Sequence, residues 1–192
     1  MRIVAAFQNG DERVNYAKAL CQSSIKRYFG VELVEIPGTP RPLFNDMLQK
    51  ASEGDGDYFG WINGDCQLLI SPISLIGMQA DVFGMRRIEL GAGEKCGGVD
   101  GYIIKKSFWN DVLSKEQPRM YVGGTHVDWW ITRATQKFGK YDEGFYLAHI
   151  PHERTAASIG TDDYGKNNLD QYNAWADRNG ISKCYYSFQK LN

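Results

Sequence analysis

Residues 44–68 read FNDMLQKASEGDGDYFGWINGDCQL, and the hydrophobic pattern within them switches from helix to strand and then stops at a polar tip. Pro42 suits a first helical turn, and Leu43, Phe44, Met47, Leu48 and Ala51 share one apolar helical face. Gly54 and Gly56 end that helix, and Tyr58-Phe59-Gly60-Trp61-Ile62 reads as a buried strand. Asn63-Gly64-Asp65 follows directly. A carboxylate just beyond the carboxyl end of a buried strand is where open α/β sheets hold ligands and metals. The tip is therefore a candidate metal and phosphate site, and as local structure alone it is an Asn-Gly turn closing a strand.

Upstream, Arg2 to Phe7 forms an apolar first strand followed by the polar Gln8-Asn9-Gly10-Asp11. Val14, Ala17, Cys21, Ile25 and Tyr28 then fall on one helical face ended by Gly30, and Val31 to Ile36 is a second strand closed by Pro37-Gly38. Strand, helix, strand, helix, strand in this order predicts an α/β sandwich with a mostly parallel central sheet flanked by helices. The 192 residues suit a single domain, large enough to bury about 70% of the surface its unfolded chain exposes. Residues 1–68, ending in the Asn-Gly-Asp tip, make a first half, 69–168 a second half, and 169–192 a closing helix and tail.

Composition narrows the function classes. A net charge of −1 gives no support to a nucleic-acid binder driven by bulk electrostatics. No signal-peptide pattern stands at Met1-Arg2-Ile3-Val4, and no apolar run is long enough to cross a membrane. Cys21, Cys66, Cys96 and Cys184 are scattered without a C-x-x-C pair, which excludes a standard zinc ribbon and fits reduced thiols in a cytoplasmic protein. A Rossmann G-x-G-x-x-G is absent after the first strand, and no Walker sequence occurs.

Past the tip, Ser71-Pro72 starts a helix with Ile73, Ile76, Ala80 and Phe83 facing inward, and Arg86-Arg87 begin a strand-like segment. Gly98-Val99-Asp100-Gly101-Tyr102-Ile103-Ile104 is another strand, with Asp100 either an acceptor for hydroxyls or a turn cap. In Tyr121-Val122-Gly123-Gly124-Thr125-His126-Val127-Asp128-Trp129-Trp130, Thr125 is a plausible N-cap and Asp128 falls in the first helical turn, whose positive end favours an ionised carboxylate. Trp129 and Trp130 cannot both face the core. A strand through Phe145 ends in His149-Ile150-Pro151-His152, a pair suited to Mn²⁺ or Zn²⁺; a Zn²⁺ hydrolase would take its third ligand from Asp65. Arg154 to Asn168 is polar and reads as a loop, after which Leu169, Tyr172 and Ala176 mark a helix ended near Gly180. Tyr185, Tyr186 and Phe188 read as a short packed tail.

The run Ala51-Ser52-Glu53-Gly54-Asp55-Gly56-Asp57-Tyr58 followed by Trp61-Ile62-Asn63-Gly64-Asp65 resembles the A-x-G-D-Y-strand-Asp-x-Asp signature of GT-A-fold nucleotide-sugar glycosyltransferases, especially the family-2-like ones, with one small insertion. The family motif grips a divalent cation, Mn²⁺ or Mg²⁺, that bridges the two phosphates of the donor. Here Asn63 replaces its first Asp, keeping a carbonyl oxygen and losing one negative charge. The resemblance implies a GT-A-like fold from the first strand to about Asn168, Asp65 as a metal ligand, and a metal-completing histidine placed by position on His152, with His149 second. It implies contacts from Asp100 to the sugar and a general-base or positioning role for Asp128 on the acceptor side, since an acceptor hydroxyl must lose its proton as it attacks. A loop closing over the donor would bring Arg154 and Lys166 to the diphosphate leaving group.

Nucleotide contacts are expected near the ends of the first two strands, with Phe7 stacking on the base and Arg13, Glu35, Arg41 and Asn45 reaching base, ribose or phosphate. Uracil is the commonest base of the resembling superfamily, so a UDP-sugar is the default donor. The acceptor stays open among a glycan, a lipid-linked glycan, a protein and a modified DNA base. Two other readings stand beside the transferase. One is a nucleotide-sugar hydrolase or nucleotidyltransferase-like enzyme, although Phe7-Gln8-Asn9-Gly10-Asp11 lacks the basic loop expected of the latter. The other is a non-catalytic relative that binds sugar nucleotides.

Overall fold

A computed structural model describes residues 1–7, 12–31, 33–37, 41–69, 79–90, 95–122, 126–149 and 162–184. In chain order these contain β1 (Arg2–Phe7), α1 (Glu12–Phe29), β2 (Leu33–Pro37), α2 (Phe44–Ser52), β3 (Tyr58–Ile62), β4 (Cys66–Leu68), β5 (Val82–Glu89) and β6 (Lys95–Lys105). There follow α3, α4 (Val127–Phe138), β7 (Tyr141–His149) and α5 (Asp163–Arg178). Helix α3 runs through three consecutive pieces, Lys106–Phe108, a π-helical Trp109–Leu113, and Ser114–Glu116.

The strands form one sheet in the order β2-β1-β3-β6-β5-β7-β4. β1 pairs in parallel with β2 and β3, β6 is antiparallel to β3 and to β5, β7 is parallel to β5, and β4 returns antiparallel to β7. Five strands thus point one way and only β6 and β4 oppose them, which is the mostly parallel α/β sheet the sequence order predicts. Successive residues of each strand face opposite sides, and the core splits accordingly. Val4, Phe59, Trp61, Val82, Tyr102 and Ile104 meet α2 to α5 on one face. Ile3, Ala5, Ile62, Phe83, Met85, Ile103 and Leu147 meet Cys21 and Ile25 of α1 on the other.

The α2–β3 unit is held as its pattern requires. Phe44, Met47, Leu48 and Ala51 of α2 are all buried, each large side chain contributing on the order of 1.5–3 kcal/mol by leaving water. Phe44 sits edge-on to Trp61 at 5.0 Å, and Trp61 stacks on Tyr102 at 6.0 Å. The turn between helix and strand needs its glycines. Gly56 has φ +98°, and a Cβ on Gly54 would lie 2.5 Å from the Cβ of Arg2.

Three boundaries differ from the sequence expectation. Phe83, assigned by its spacing to a helix with Ala80, lies inside β5, because Val82, Phe83 and Met85 are buried on both faces of the sheet. A doubly covered strand reads as a continuous apolar run, which periodicity cannot tell from a buried helix. β6 begins at Lys95, ahead of Gly98, paired to the long β5 through a bulged register. Residues 163–168, read as the end of a loop, are the first turns of α5: the Asp162 carboxylate caps the helix by accepting from the Gly165 amide at 2.9 Å. The helix start expected at Ser71-Pro72, the Gly123-Gly124-Thr125 loop, His152, Arg154 and the aromatic tail lie outside the described residues. The ending of α5 is as expected, with Gly180 at φ +62° just beyond it.

Candidate functional site

The tip of β3 is a tight reversal. The Asn63 amide donates to the Asp100 carbonyl at 2.7 Å, and the Cys66 amide donates to the Asn63 carbonyl at 3.0 Å. The chain turns back into β4, where Cys66 pairs with His149 at the end of β7. That pairing sets the Asp65 side chain beside the His149 ring, two residues 84 positions apart in sequence.

Five charged or titratable side chains meet there. His149 Nε2 lies 3.2 Å from Asp65 Oδ2, and His149 Nδ1 lies 2.6 Å from Glu89 Oε2. Glu89 Oε1 forms an ion pair with Arg87 Nε at 2.9 Å. Arg87 Nη1 in turn donates to Asp100 Oδ2 at 2.9 Å. Three strands position these groups: Arg87 and Glu89 at the end of β5, Asp100 midway along β6 and His149 at the end of β7, with Glu89 in direct register with His149. Asp65 Oδ1 also accepts a weak bond from the Cys66 thiol at 3.5 Å.

The electrostatics are those of a compact, acid-rich cluster. Burial pushes the Asp100 carboxyl upward, and the Arg87 guanidinium opposes that shift. For His149 burial works to lower the pKa, but hydrogen bonds and charge from Asp65, with Glu89 behind, outweigh it and hold the pKa above its ordinary value. Cys66 is fully buried and its thiol is pushed well up, first by burial and then by Asp100 and Asp65, so it is protonated and unreactive.

Asp128 lies within reach of the Asp100 charge. It occupies the first turn of α4, entered through His126, whose φ of 80° is the one left-handed non-glycine conformation among the described residues. Tyr102 Oη donates to the Asp128 carbonyl at 3.0 Å, fastening this turn to β6 two residues from Asp100. Burial and then the Asp100 charge raise Asp128 to about 6, while a bond from the Trp129 amide pulls the other way. Trp130 is fully buried, and Trp129 is 46% exposed against Tyr172 and His126. The two tryptophans therefore divide between core and surface.

The remaining sequence candidates are spread out. Glu35 on β2 pairs with Lys18 and Gln22 of α1. Arg41 forms an ion pair with Asp162 at 2.9 Å and lies over the Tyr164 ring at 4.7 Å. Asn45 is buried, its Oδ1 accepting from the Met120 amide at 3.3 Å. Lys166 is exposed on α5 and pairs with Asp163 at 3.4 Å. Phe7 ends β1 and Arg13 lies in α1; their side chains, like His152 and Arg154, are outside the described set. The structure thus brings Asp65, Asp100 and His149 together, with Asp128 in electrostatic reach.

Sequence reasoning missed Arg87 and Glu89 as site residues. The signal was present: Arg87-Ile88-Glu89 alternates, so both charged side chains share one face of a strand. Its destination was hidden, because the β5–β7 pairing joins segments separated by the whole of β6, α3 and α4.

Among the described residues no three His, Cys, Asp or Glu side chains converge on a single point. Two of the side chains, Asp65 and His149, are of the types that ligate divalent cations, and they contact each other directly. Asp65 Oδ2 and His149 Nε2 are 3.2 Å apart, about the separation of neighbouring ligands held at ~2.1 Å bonds. A carboxylate oxygen with an imidazole nitrogen is a donor set that Mn²⁺ accepts and Mg²⁺ tolerates.

No protein-family model matches the sequence, and no curated protein matches it. Solved structures similar to it include glycosyltransferases. A197 from STIV is 12% identical, with a TM-score of 0.48 over 80% of this chain and 88% of that one. A glycosyltransferase involved in glycosylation of the major capsid of PBCV-1 is 11% identical, with a TM-score of 0.44 over 82% and 98%. The galactosyltransferase LgtC, solved with donor and acceptor sugar analogs, is 10% identical, with a TM-score of 0.39 over 97% and 98%. No helix among the described residues is long and apolar enough to cross a membrane.

Proposed function

We propose that this chain is a GT-A-like glycosyltransferase that moves a sugar from a nucleotide-diphospho-sugar, by default a UDP-sugar, to a hydroxyl acceptor. The observation that carries the reading is the placement of Asp65, beyond the end of a buried strand, 3.2 Å from His149 Nε2. Asp65 and His149 would hold Mn²⁺ or Mg²⁺, with the carbonyl-bearing Asn63 at the same tip. When bound, such a cation offsets the charge that develops on a diphosphate leaving group.

The chain's own residues supply the rest. Asp100, fixed by Arg87, offers a carboxylate acceptor for donor hydroxyls. Asp128 takes the proton of the acceptor hydroxyl as it attacks the anomeric carbon. Its raised pKa, about 6, makes it a stronger base than an ordinary aspartate while leaving it ionised at neutral pH. Tyr102 and the Trp129 amide hold the turn that carries it. Lys166 and Arg154 are the cations assigned to the diphosphate, and Phe7, Arg13, Glu35 and Arg41 the residues assigned to the nucleotide, while Asn45 is spent on the Met120 amide.

The test is release of free nucleoside diphosphate from a panel of UDP-, GDP- and dTDP-sugars, with Mn²⁺, Mg²⁺ or chelator present. Metal-dependent release from one donor, accelerated by added glycan and suppressed in Asp128→Asn, supports a transferase. Release that no acceptor stimulates identifies a nucleotide-sugar hydrolase instead. Binding without any release identifies a non-catalytic relative.

A further inference from the structure

We propose that Glu89 is a positioning residue that presets His149 for the cation site, and that Arg87 locks Glu89 to Asp100 while it does so. The inference rests on the reading of Asp65 and His149 as cation ligands, and it adds a role for two residues outside that pair. It starts from how Glu89 divides its oxygens. Oε2 bonds His149 Nδ1 at 2.6 Å, and Oε1 forms an ion pair with Arg87 Nε at 2.9 Å, so the two oxygens face different partners. Arg87 likewise uses separate nitrogens, Nε for Glu89 and Nη1 for Asp100, each at 2.9 Å.

The backbone explains why the contact is well defined. Glu89 and His149 are register partners across the parallel β5–β7 pair, so their Cβ atoms start side by side. Both side chains are largely shielded, with 22% and 11% of their surfaces exposed. A shielded carboxylate facing one ring nitrogen has a defined consequence for imidazole. Carboxylates face both nitrogens here, and Glu89 is the nearer at 2.6 Å against 3.2 Å for Asp65, so it holds the proton of the neutral ring on Nδ1, fixes the ring plane and leaves the lone pair on Nε2. In this chain Nε2 is the nitrogen facing Asp65 Oδ2. Without Glu89 the Asp65 carboxylate, 3.2 Å from Nε2, would draw the proton of the neutral ring to Nε2, and that nitrogen would have to lose it before it could bind a cation. Partners of this kind typically change metal affinity by about 10–100-fold.

Arg87 answers the question of why Glu89 does not swing away. Its planar guanidinium reaches two carboxylates at once from a rigid strand. The same residue therefore ties the histidine's partner to Asp100, whose backbone carbonyl anchors the Asn63 amide of the tip. The chain of contacts runs from His149 through Glu89, Arg87 and Asp100 back to the turn that carries Asp65.

The experiment compares the wild type with Glu89→Ala and Glu89→Gln, using two readouts that do not depend on turnover. The first is the ¹⁵N signature of the His149 ring in the metal-free protein at high pH, assigned against His149→Gln among the three histidines of the chain. The second is the affinity for Mn²⁺ alone, by calorimetry. The expected result is an Nδ1–H tautomer in the wild type, a shift toward the Nε2–H tautomer in Glu89→Ala as Asp65 takes the proton, and Mn²⁺ binding weakened by about 10–100-fold. Glu89→Gln keeps an oxygen acceptor for Nδ1–H and is expected to retain the tautomer with a smaller loss, about threefold to tenfold. If Glu89→Ala does not fold, Glu89→Gln carries the test. Wild-type tautomer and Mn²⁺ affinity within twofold in the folded variants would overturn the role of Glu89 while leaving the cation site standing. Absence of Mn²⁺ binding by the wild type would overturn the cation reading and this proposal with it.

Discussion

Two polar regions of this molecule look alike by composition and differ in where their hydrogen bonds go. Around α5, Asn168 is fully buried and mimics a strand edge: its Oδ1 accepts from the Tyr121 amide at 2.7 Å and its Nδ2 donates to the Tyr121 carbonyl at 2.8 Å. Asn45 meets the Met120 amide in the same clasp, and the Phe44 amide donates to the Met120 carbonyl. Every one of these bonds ends on backbone. Around the tip, by contrast, Asp65, His149, Glu89, Arg87 and Asp100 form a run of side-chain contacts with one another. A polar side chain spent on backbone amides is holding the fold. Side chains spent on each other can exchange partners for a ligand, and in this shielded place the pKa values of Asp100 and His149 are displaced upward.

Substitutions separate the two kinds. Asp128→Asn is expected to lower turnover by about 10²–10⁴-fold, read in the nucleotide-release assay. The same change should stabilise the fold. The folded pKa of Asp128, about 6, lies above an ordinary aspartate's, so the folded state binds the proton more tightly than the unfolded chain. Ionising the carboxylate costs stability progressively as pH rises from roughly 4 through 6, and the full cost persists above that. Denaturant melts of Asp128→Asn should therefore show a gain of about 1–3 kcal/mol at pH 8 that disappears near pH 4. An unchanged gain at both pH values would contradict the burial assigned to this carboxylate.

In the clasp, Asn168→Ala strands both polar groups of Tyr121 and should cost about 2–4 kcal/mol of stability, with nucleotide affinity unchanged at temperatures where the protein remains folded. Should Asn168→Ala instead abolish nucleotide binding without lowering the melting temperature, the division between backbone-directed and side-chain-directed residues would be wrong. On the cluster side, His149→Ala is expected to weaken metal-dependent nucleotide binding by about tenfold or more while shifting stability less than Asn168→Ala does. The smallest effect belongs to Lys166→Ala. Its ion pair with Asp163 is exposed, and removing it should move the melting temperature by less than about 2 °C, so any larger change in nucleotide affinity would report a contact with the bound diphosphate.

Most of the scaffold was legible in the sequence because its signals are local. The apolar spacing of α2, the turn glycines Gly54 and Gly56, and the strand Tyr58–Ile62 all act within a few residues of one another. What escaped was non-local. The reversal at Asn63–Cys66 sends β4 to pair with β7 across the whole second half of the chain, and no local pattern encodes that partner. For the same reason Asp65 and His149 were separate candidates until the register joined them, and Arg87 and Glu89 read as a charged strand face. The start of α5 was obscured by Gly165 and a run of polar residues, whose helical state depends on the Asp162 cap and on burial of Asn168 and Tyr172.

The most direct measurement is calorimetric titration of UDP and GDP into the wild type and Asp65→Ala, each with and without Mn²⁺. The reading developed above predicts that one nucleotide binds, that binding requires the metal, and that Asp65→Ala abolishes the metal-dependent part while the protein stays folded. Binding of neither nucleotide with any metal, or binding that Asp65→Ala leaves intact, would contradict it.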